Sequence, residues 1–173
     1  MTNQFAFLWY AFLFMIYLAI QVLVVHYWAL FGYAFCFVYL EFLLILPLAT
    51  NRGLLMGLAF LLGLLVDGFY DTLGIHAAAS VLVAYLRPFY IGLLSSKEEV
   101  PALRLRETGF YWFLNYSLGL IFLHHLAVFF LQQFSLHLWL DTFMRVIASS
   151  LFTVFVVILN QYLFYSPTGR YAG

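Results

Sequence analysis

Long apolar runs separated by short polar breaks dominate the chain. A helix needs about 20 mostly apolar residues to span a bilayer, and six runs approach that length: residues 5–25, 28–48, 53–70, 75–94, 110–131 and 143–163. None alternates apolar and polar residues at every second position, as the strands of a transmembrane barrel do. The pattern predicts an all-α integral membrane protein, with six transmembrane helices in one bundle and a single membrane domain over residues 1–173.

The breaks between the runs predict how the helices are connected. Most are only a few residues long, so consecutive helices are expected to be antiparallel neighbours. Residues 95–108 form the one long polar break, and Pro101 with mixed charges favours a loop there. Basic residues near helix ends favour the cytoplasmic side, and an N-in/C-in arrangement with a cytoplasmic loop at 95–108 places most of them there: Arg52, Lys97, Arg104, Arg106 and Arg170.

Composition excludes a water-soluble protein. The chain is 66% hydrophobic and 8% charged, whereas soluble domains carry roughly 25% charged residues. The lipid bilayer is therefore its expected surroundings. Because the net charge is zero and the basic residues are scattered, no nucleic-acid partner is expected. A single cysteine, Cys36, excludes a disulfide within the chain.

Several charged residues lie within or beside the apolar runs. An ionised group in hydrocarbon costs at least about 2.5 to 3.5 kcal/mol, so it is expected to face the bundle and pair. Similar depth predicts that Arg145 pairs with Asp67 or Asp71, and that Glu41 pairs with Arg87. In the alternative, both arginines extend their side chains to the nearer interface and bind lipid phosphate or water.

Three histidines raise the question of a metal site. His124 and His125 are adjacent and point about 100° apart on a helix, although His76 could approach either from the fourth helix. No cysteine or carboxylate cluster accompanies them, so neither metal nor cofactor is expected. Interhelical hydrogen bonding is the predicted role, shared by five other polar residues: Asn115, Ser149, Ser150, Asn160 and Gln161.

No catalytic motif is evident in the sequence. The metalloprotease pattern His-Glu-x-x-His and the hydrolase pattern Gly-x-Ser-x-Gly are both missing. Glu98 and Glu99, with Arg104, faintly resemble an intramembrane protease pattern, but the spacing is longer and Pro101 interrupts it. They are interpreted as a solvated charge run, and the sequence predicts a protein that is not an enzyme.

Small residues are concentrated on the third and fourth predicted helices. Gly53, Gly57 and Gly63 lie on the third, and Ala77 and Ala78 begin a run of small residues on the fourth. Small residues let membrane helices approach closely. They are expected either to pack these two helices together or to contact a partner helix.

The stretch from Arg52 to Phe89 resembles the rod shape-determining protein MreD family. The matching residues combine a small-residue helix, an aspartate, a Leu-Gly turn and a His-Ala pair that begins the next helix: Gly63, Asp67, Leu73, Gly74, His76, Ala77 and Tyr85. The turn at 68–72 is poorer in glycine than is usual in that family. Outside this stretch the chain is similar to the family in hydropathy and predicted topology.

The resemblance implies a non-enzymatic scaffold subunit of the bacterial cell-elongation (rod) complex, in the cytoplasmic membrane. Such proteins bind the single-span protein MreC, and through it an MreB-like filament and a RodA-type glycosyltransferase with its transpeptidase, supporting lateral peptidoglycan synthesis and cell shape. The motif residues, with Gly53, Gly57 and Ala78, would then be structural or partner-binding.

The resemblance also implies an alternative function. The MreD fold is similar to that of the substrate-binding subunits of energy-coupling-factor transporters, which bind small molecules. A transporter subunit would enclose a pocket lined by convergent polar groups, and His76, His124, His125 and Asp67 are the candidates. A scaffold would instead have a filled interior.

Overall fold

A computed structural model describes residues 3–25, 28–95, 103–133 and 139–164. Within these ranges the chain forms seven helices and one two-stranded hairpin, in the order α1 (Asn3–Leu23), β1 (Ala29–Leu30), β2 (Ala34–Phe35), α2 (Leu40–Ile45), α3 (Arg52–Tyr70), α4 (Ile75–Leu94), α5 (Leu105–Thr108), α6 (Phe110–Gln133) and α7 (Trp139–Phe164).

Four of these helices, α3, α4, α6 and α7, are long and apolar enough to cross a membrane, and α1 contributes a shorter apolar stretch, Phe7–Leu23. They correspond to five of the six predicted runs. The prediction of a mostly helical, multi-pass membrane protein is therefore confirmed.

The predicted second transmembrane helix, residues 28–48, is wrong. Strand β1 pairs antiparallel with β2 through a turn in which Phe31 and Gly32 have φ of 54° and 69°. The chain then runs without a helix to α2, which has six residues and ends just before Pro47. Proline lacks an amide hydrogen and disfavours a helical residue before it, so α2 ends there.

Irregular backbone at membrane depth requires hydrogen-bond partners from the protein, and the segment 36–46 is buried throughout. Side chains of other elements accept from its amides. The N–H of Phe37 donates to Thr153 Oγ1 at 3.1 Å, and that of Tyr39 donates to Gln21 Oε1 at 3.3 Å. In the hairpin, the N–H of Phe35 donates to Ser149 Oγ at 2.9 Å.

Only part of the predicted loop 95–108 is described, because residues 96–102 lie outside the described ranges. The remainder is not a free aqueous connection. Leu103 and Leu105 are 1% and 3% exposed, and the N–H of Leu105 donates to Gln161 Oε1 on α7 at 3.3 Å. Residues 105–108 form α5, so apolar side chains draw the end of this loop into the bundle.

Candidate functional site

Asp67, near the end of α3, caps the start of α4. Its Oδ1 accepts from the N–H of His76 at 3.0 Å and from Thr72 Oγ1 at 2.5 Å, and its Oδ2 accepts from the N–H of Ala77 at 2.9 Å. The first amides of a helix lack partners within the helix, and its N-terminus favours negative charge. Gly74, the residue at the cap position, offers no side chain to fill this role. Asp67 therefore accepts hydrogen bonds from the first amides of α4, which the residue at the cap position cannot bind.

Gly63 makes this contact possible. A Cβ at Gly63 would lie 2.5 Å from Ala77 Cα and 2.6 Å from the carbonyl oxygen of His76. Because these are backbone atoms of α4, any side chain would force the two helices apart. Gly74 has a φ of 80°, which favours glycine. Five motif residues thus form one unit, named here the α3–α4 corner: Gly63, Asp67, Gly74, His76 and Ala77.

The other candidate structural or partner-binding residues lie apart from this unit. Leu73 and Tyr85 are 101% and 53% exposed. Gly53, Gly57 and Ala78 are exposed as well, and a Cβ at Gly57 would meet nothing within 4 Å. Gly63 and Ala77 therefore pack α3 against α4. Gly53, Gly57 and Ala78 face outward, where a partner helix could contact them.

The three histidines converge in the centre of the bundle and are fully buried. The ring of Phe37, from the irregular segment, packs against all three, with centroid distances of 5.1 Å to His76, 5.6 Å to His124 and 4.9 Å to His125. An aromatic side chain therefore occupies the space between them.

Each histidine also hydrogen-bonds to a neighbour. His76 Nδ1 lies 3.0 Å from Asp67 Oδ1, and His124 Nε2 lies 2.7 Å from the Tyr39 hydroxyl. His125 Nδ1 donates to the carbonyl of Ile121 at 2.8 Å. Since a neutral imidazole carries one N–H, the other nitrogen of His125 is left to accept.

Among the described residues, three buried side-chain polar atoms have no hydrogen-bond partner there: His76 Nε2, His124 Nδ1 and Ser150 Oγ. Within the described part of the chain, no three histidine, cysteine or carboxylate side chains form a group that could hold a metal ion. The histidine rings can donate, accept or take up a proton, but they do not converge as metal ligands there.

The predicted pairing of Arg145 with Asp67 or Asp71 is wrong. Arg145 Nε binds Asp141 Oδ2 at 3.0 Å, one turn away on α7, with both side chains partly exposed, and its guanidinium lies 5.0 Å from the centre of the Tyr33 ring. Asp71 is the exposed, left-handed residue that ends α3. Similar depth along a helix does not fix which face of the helix a residue occupies, which is why the depth argument failed.

The predicted Glu41–Arg87 pair is also wrong, although both residues are buried. Arg87 donates through Nη2 to the carbonyl of Leu46 and through Nε to the Tyr116 hydroxyl at 2.9 Å. Tyr116 in turn donates to the carbonyl of Leu44 at 2.9 Å. The last carbonyls of a helix lack intrahelical partners. Arg87 therefore donates to carbonyls at the end of α2, and not to the Glu41 carboxylate.

Glu41 is held by neutral side chains. Gln161 Nε2 donates to Oε1 at 2.6 Å and Asn160 Nδ2 donates to Oε2 at 3.0 Å, while the Tyr17 hydroxyl also hydrogen-bonds to this carboxyl. The predicted hydrogen-bonding role is thus confirmed for Asn160 and Gln161, and for Ser149 on α7, whose Oγ accepts from the N–H of Phe35 in the hairpin.

Two of the predicted hydrogen-bonding residues do not follow the pattern. Ser150 Oγ is buried and has no hydrogen-bond partner in the described part of the chain, and the Asn115 side chain is exposed. Sequence reasoning missed the roles of Gln21, Tyr39 and Thr153, which support the irregular segment. A glutamine inside the first apolar run was the available signal for Gln21, because polar side chains at that depth need partners.

No protein-family model, no curated protein and no solved structure matches the chain.

Proposed function

We propose that this protein is a non-enzymatic membrane scaffold subunit of the bacterial cell-elongation complex, which binds an MreC-like single-span protein and supports lateral peptidoglycan synthesis. It belongs in the cytoplasmic membrane with both ends inside. Through the MreC-like protein it associates with an MreB-like filament and a RodA-type glycosyltransferase with its transpeptidase. The proposal starts from the resemblance of residues 52–89 to the MreD family.

The observation that carries the proposal is that Asp67 and the three buried histidines contact other parts of the protein. A transporter subunit would direct His76, His124, His125 and Asp67 into a ligand pocket. Here Asp67 is used as a helix cap, and the three histidine rings pack around Phe37. Phe37 packed against all three histidine rings favours a scaffold over a small-molecule binder.

The α3–α4 corner supports the same proposal. The hydrogen bonds of Asp67 and the close approach at Gly63 hold α3 against α4, where apolar contacts alone would give little driving force in lipid. A subunit that presents a partner-binding surface benefits from such rigidity because less ordering is needed on binding.

The test is co-purification in mild detergent. The tagged protein is co-expressed with the MreC-like protein from the same source, and the complex is isolated from membranes. Recovery of the single-span protein, together with restored rod shape when the gene is returned to depleted cells, is the expected result. Recovery of a vitamin-transport ATPase module in its place would overturn the proposal.

A matched pair of variants links the capture to the fold. Asp67→Ala removes the cap of α4 and is expected to reduce capture, whereas Asp71→Ala, four residues later on the exposed turn, is expected to leave it unchanged. Equal capture by both would remove the α3–α4 corner from the argument.

A further inference from the structure

A groove of about 370 Å³ lies between α1 and α7. Its walls are apolar and include Trp9, Phe12 and Ile16 on α1 and Phe164 on α7. The two polar side chains that line it are Tyr17 and Asn160, and both hydrogen-bond to the buried Glu41. The groove therefore gives access, through one layer of side chains, to an intramembrane acid.

Glu41 has capacity for a further donor. A carboxylate offers about four acceptor positions, and the partners of Glu41 among the described residues are the amides of Gln161 and Asn160 and the hydroxyl of Tyr17. Among the described residues, no salt bridge joins Glu41 to a lysine or arginine: Arg87 binds the carbonyl of Leu46 and the Tyr116 hydroxyl, and Arg145 binds Asp141. An acid at this depth favours a nearby donor or cation.

Two other grooves on the bundle show how this one differs. One of about 540 Å³, between α4 and α6, is lined entirely by apolar side chains such as Leu82, Leu123 and Phe130. Another of about 420 Å³ lies between α1 and α3, with Phe14 and Leu61 in its walls. Tyr10 and Thr50 also line it, but in the described part of the chain neither side chain hydrogen-bonds to Glu41 or Asp67. Acyl chains fill such surfaces well, but an acyl chain cannot hydrogen-bond to the Asn160 amide or the Tyr17 hydroxyl.

We infer that the α1–α7 groove docks the transmembrane helix of the single-span partner, and that this helix carries a hydrogen-bond donor or a cation that reaches Asn160 and, through it, Glu41. Polar contacts and close packing drive helix association in lipid, where apolar area alone gives no preference for protein over acyl chains. Complementarity between Glu41, which no described cation neutralises, and the partner's donor selects this groove over the other two. The inference rests on the proposed function and assigns the face of the bundle that performs it.

Photocross-linking locates the partner. A benzophenone amino acid is placed at Ile16 in the α1–α7 groove, at Leu123 in the α4–α6 groove, and at Leu61 in the α1–α3 groove, with the tagged MreC-like protein co-expressed. The expected yield of the cross-linked heterodimer from Ile16 exceeds that from either control by about tenfold, in line with one preferred polar docking face.

The outcomes separate the two proposals. Capture of the single-span protein with cross-links from Leu123 or Leu61 overturns the docking site and leaves the proposed function intact. Cross-links from Ile16 to lipid alone also overturn the docking site. Failure of the unmodified protein to capture the single-span protein overturns both.

Matched substitutions test the polar contact. Asn160→Leu is expected to weaken capture by roughly three- to tenfold, the range that hydrogen bonds between membrane helices reach. Asn115→Leu, the same change on the exposed face of α6, is expected to have no effect. Replacing the partner's donor by leucine should give the same loss, with no further loss when both changes are combined.

Ile16→Trp provides a variant that fills the groove without touching Glu41, in case Asn160→Leu impairs folding. It is expected to reduce capture while the melting temperature in detergent stays unchanged. Full capture by the Ile16→Trp protein would overturn the inference.

Discussion

Replacing Gly63 with alanine is the smallest change that tests how α3 and α4 are held together. The added Cβ would lie 2.5 Å from Ala77 Cα, whereas ordinary contacts begin at 3.4 Å. Relief of the clash requires the helices to separate, since the neighbouring atoms belong to the backbone. Separation would also lengthen the bonds from Asp67 to the amides of His76 and Ala77, which are now 3.0 and 2.9 Å.

The expected loss of stability in Gly63→Ala follows from the clash and from the weakened hydrogen bonds. Overpacking a filled contact costs about 1 to 3 kcal/mol, and each weakened buried hydrogen bond costs up to about 1 kcal/mol more. The intrinsic gain of a helical Gly→Ala change, about 0.5 to 1 kcal/mol, offsets part of this. The free energy of unfolding of Gly63→Ala is therefore expected to fall by about 2 to 3 kcal/mol.

Gly57→Ala is the matched control, because it lies on the same helix and its new Cβ meets nothing within 4 Å. It is expected to be neutral or slightly stabilising. The assay is equilibrium unfolding of both purified variants in mixed micelles. Equal stability of the two variants would refute the close-contact explanation, and so would full additivity of Gly63→Ala with Asp67→Ala, since the first change is expected to weaken the bonds that the second removes.

Three further changes test individual contacts by the same unfolding assay. Asp67→Ala leaves buried amides without an acceptor and is expected to lower the free energy of unfolding by about 3 kcal/mol. Asp71→Ala is expected to lower it by less than about 0.5 kcal/mol because the residue is exposed. Equal losses would contradict the capping role. Tyr39→Phe removes the 2.7 Å bond to a buried histidine and is expected to cost about 1 to 2 kcal/mol, so an unchanged midpoint would show that this bond adds no stability. Arg145→Ala breaks a partly exposed pair with Asp141 and is expected to cost less than about 0.5 kcal/mol; a loss of several kcal/mol would mean that the pair is not the surface contact described here.

The sequence alone determined the elements whose signal is local. Hydropathy and length were enough to locate α1, α3, α4, α6 and α7, because a continuous apolar run of about 20 residues satisfies its own backbone as a helix in lipid. The expectation that Asp67 and Glu41 need partners followed from the cost of a charge in hydrocarbon. These inferences required no knowledge of neighbouring helices.

Tertiary structure decided how the second apolar run folds and which groups the buried charges contact. Residues 28–48 are as apolar as their neighbours, but Ser149, Thr153 and Gln21 offer hydrogen bonds to the backbone that a helix would otherwise have to supply. Asp67 likewise binds the start of α4 and the His76 ring, and Arg87 binds a carbonyl at the end of α2 and no carboxylate. Hydropathy reports how much a residue avoids water. The partner of a buried charge depends on which face of each helix points inward and on which backbone groups remain unpaired. Packing of the helices determines both of these conditions.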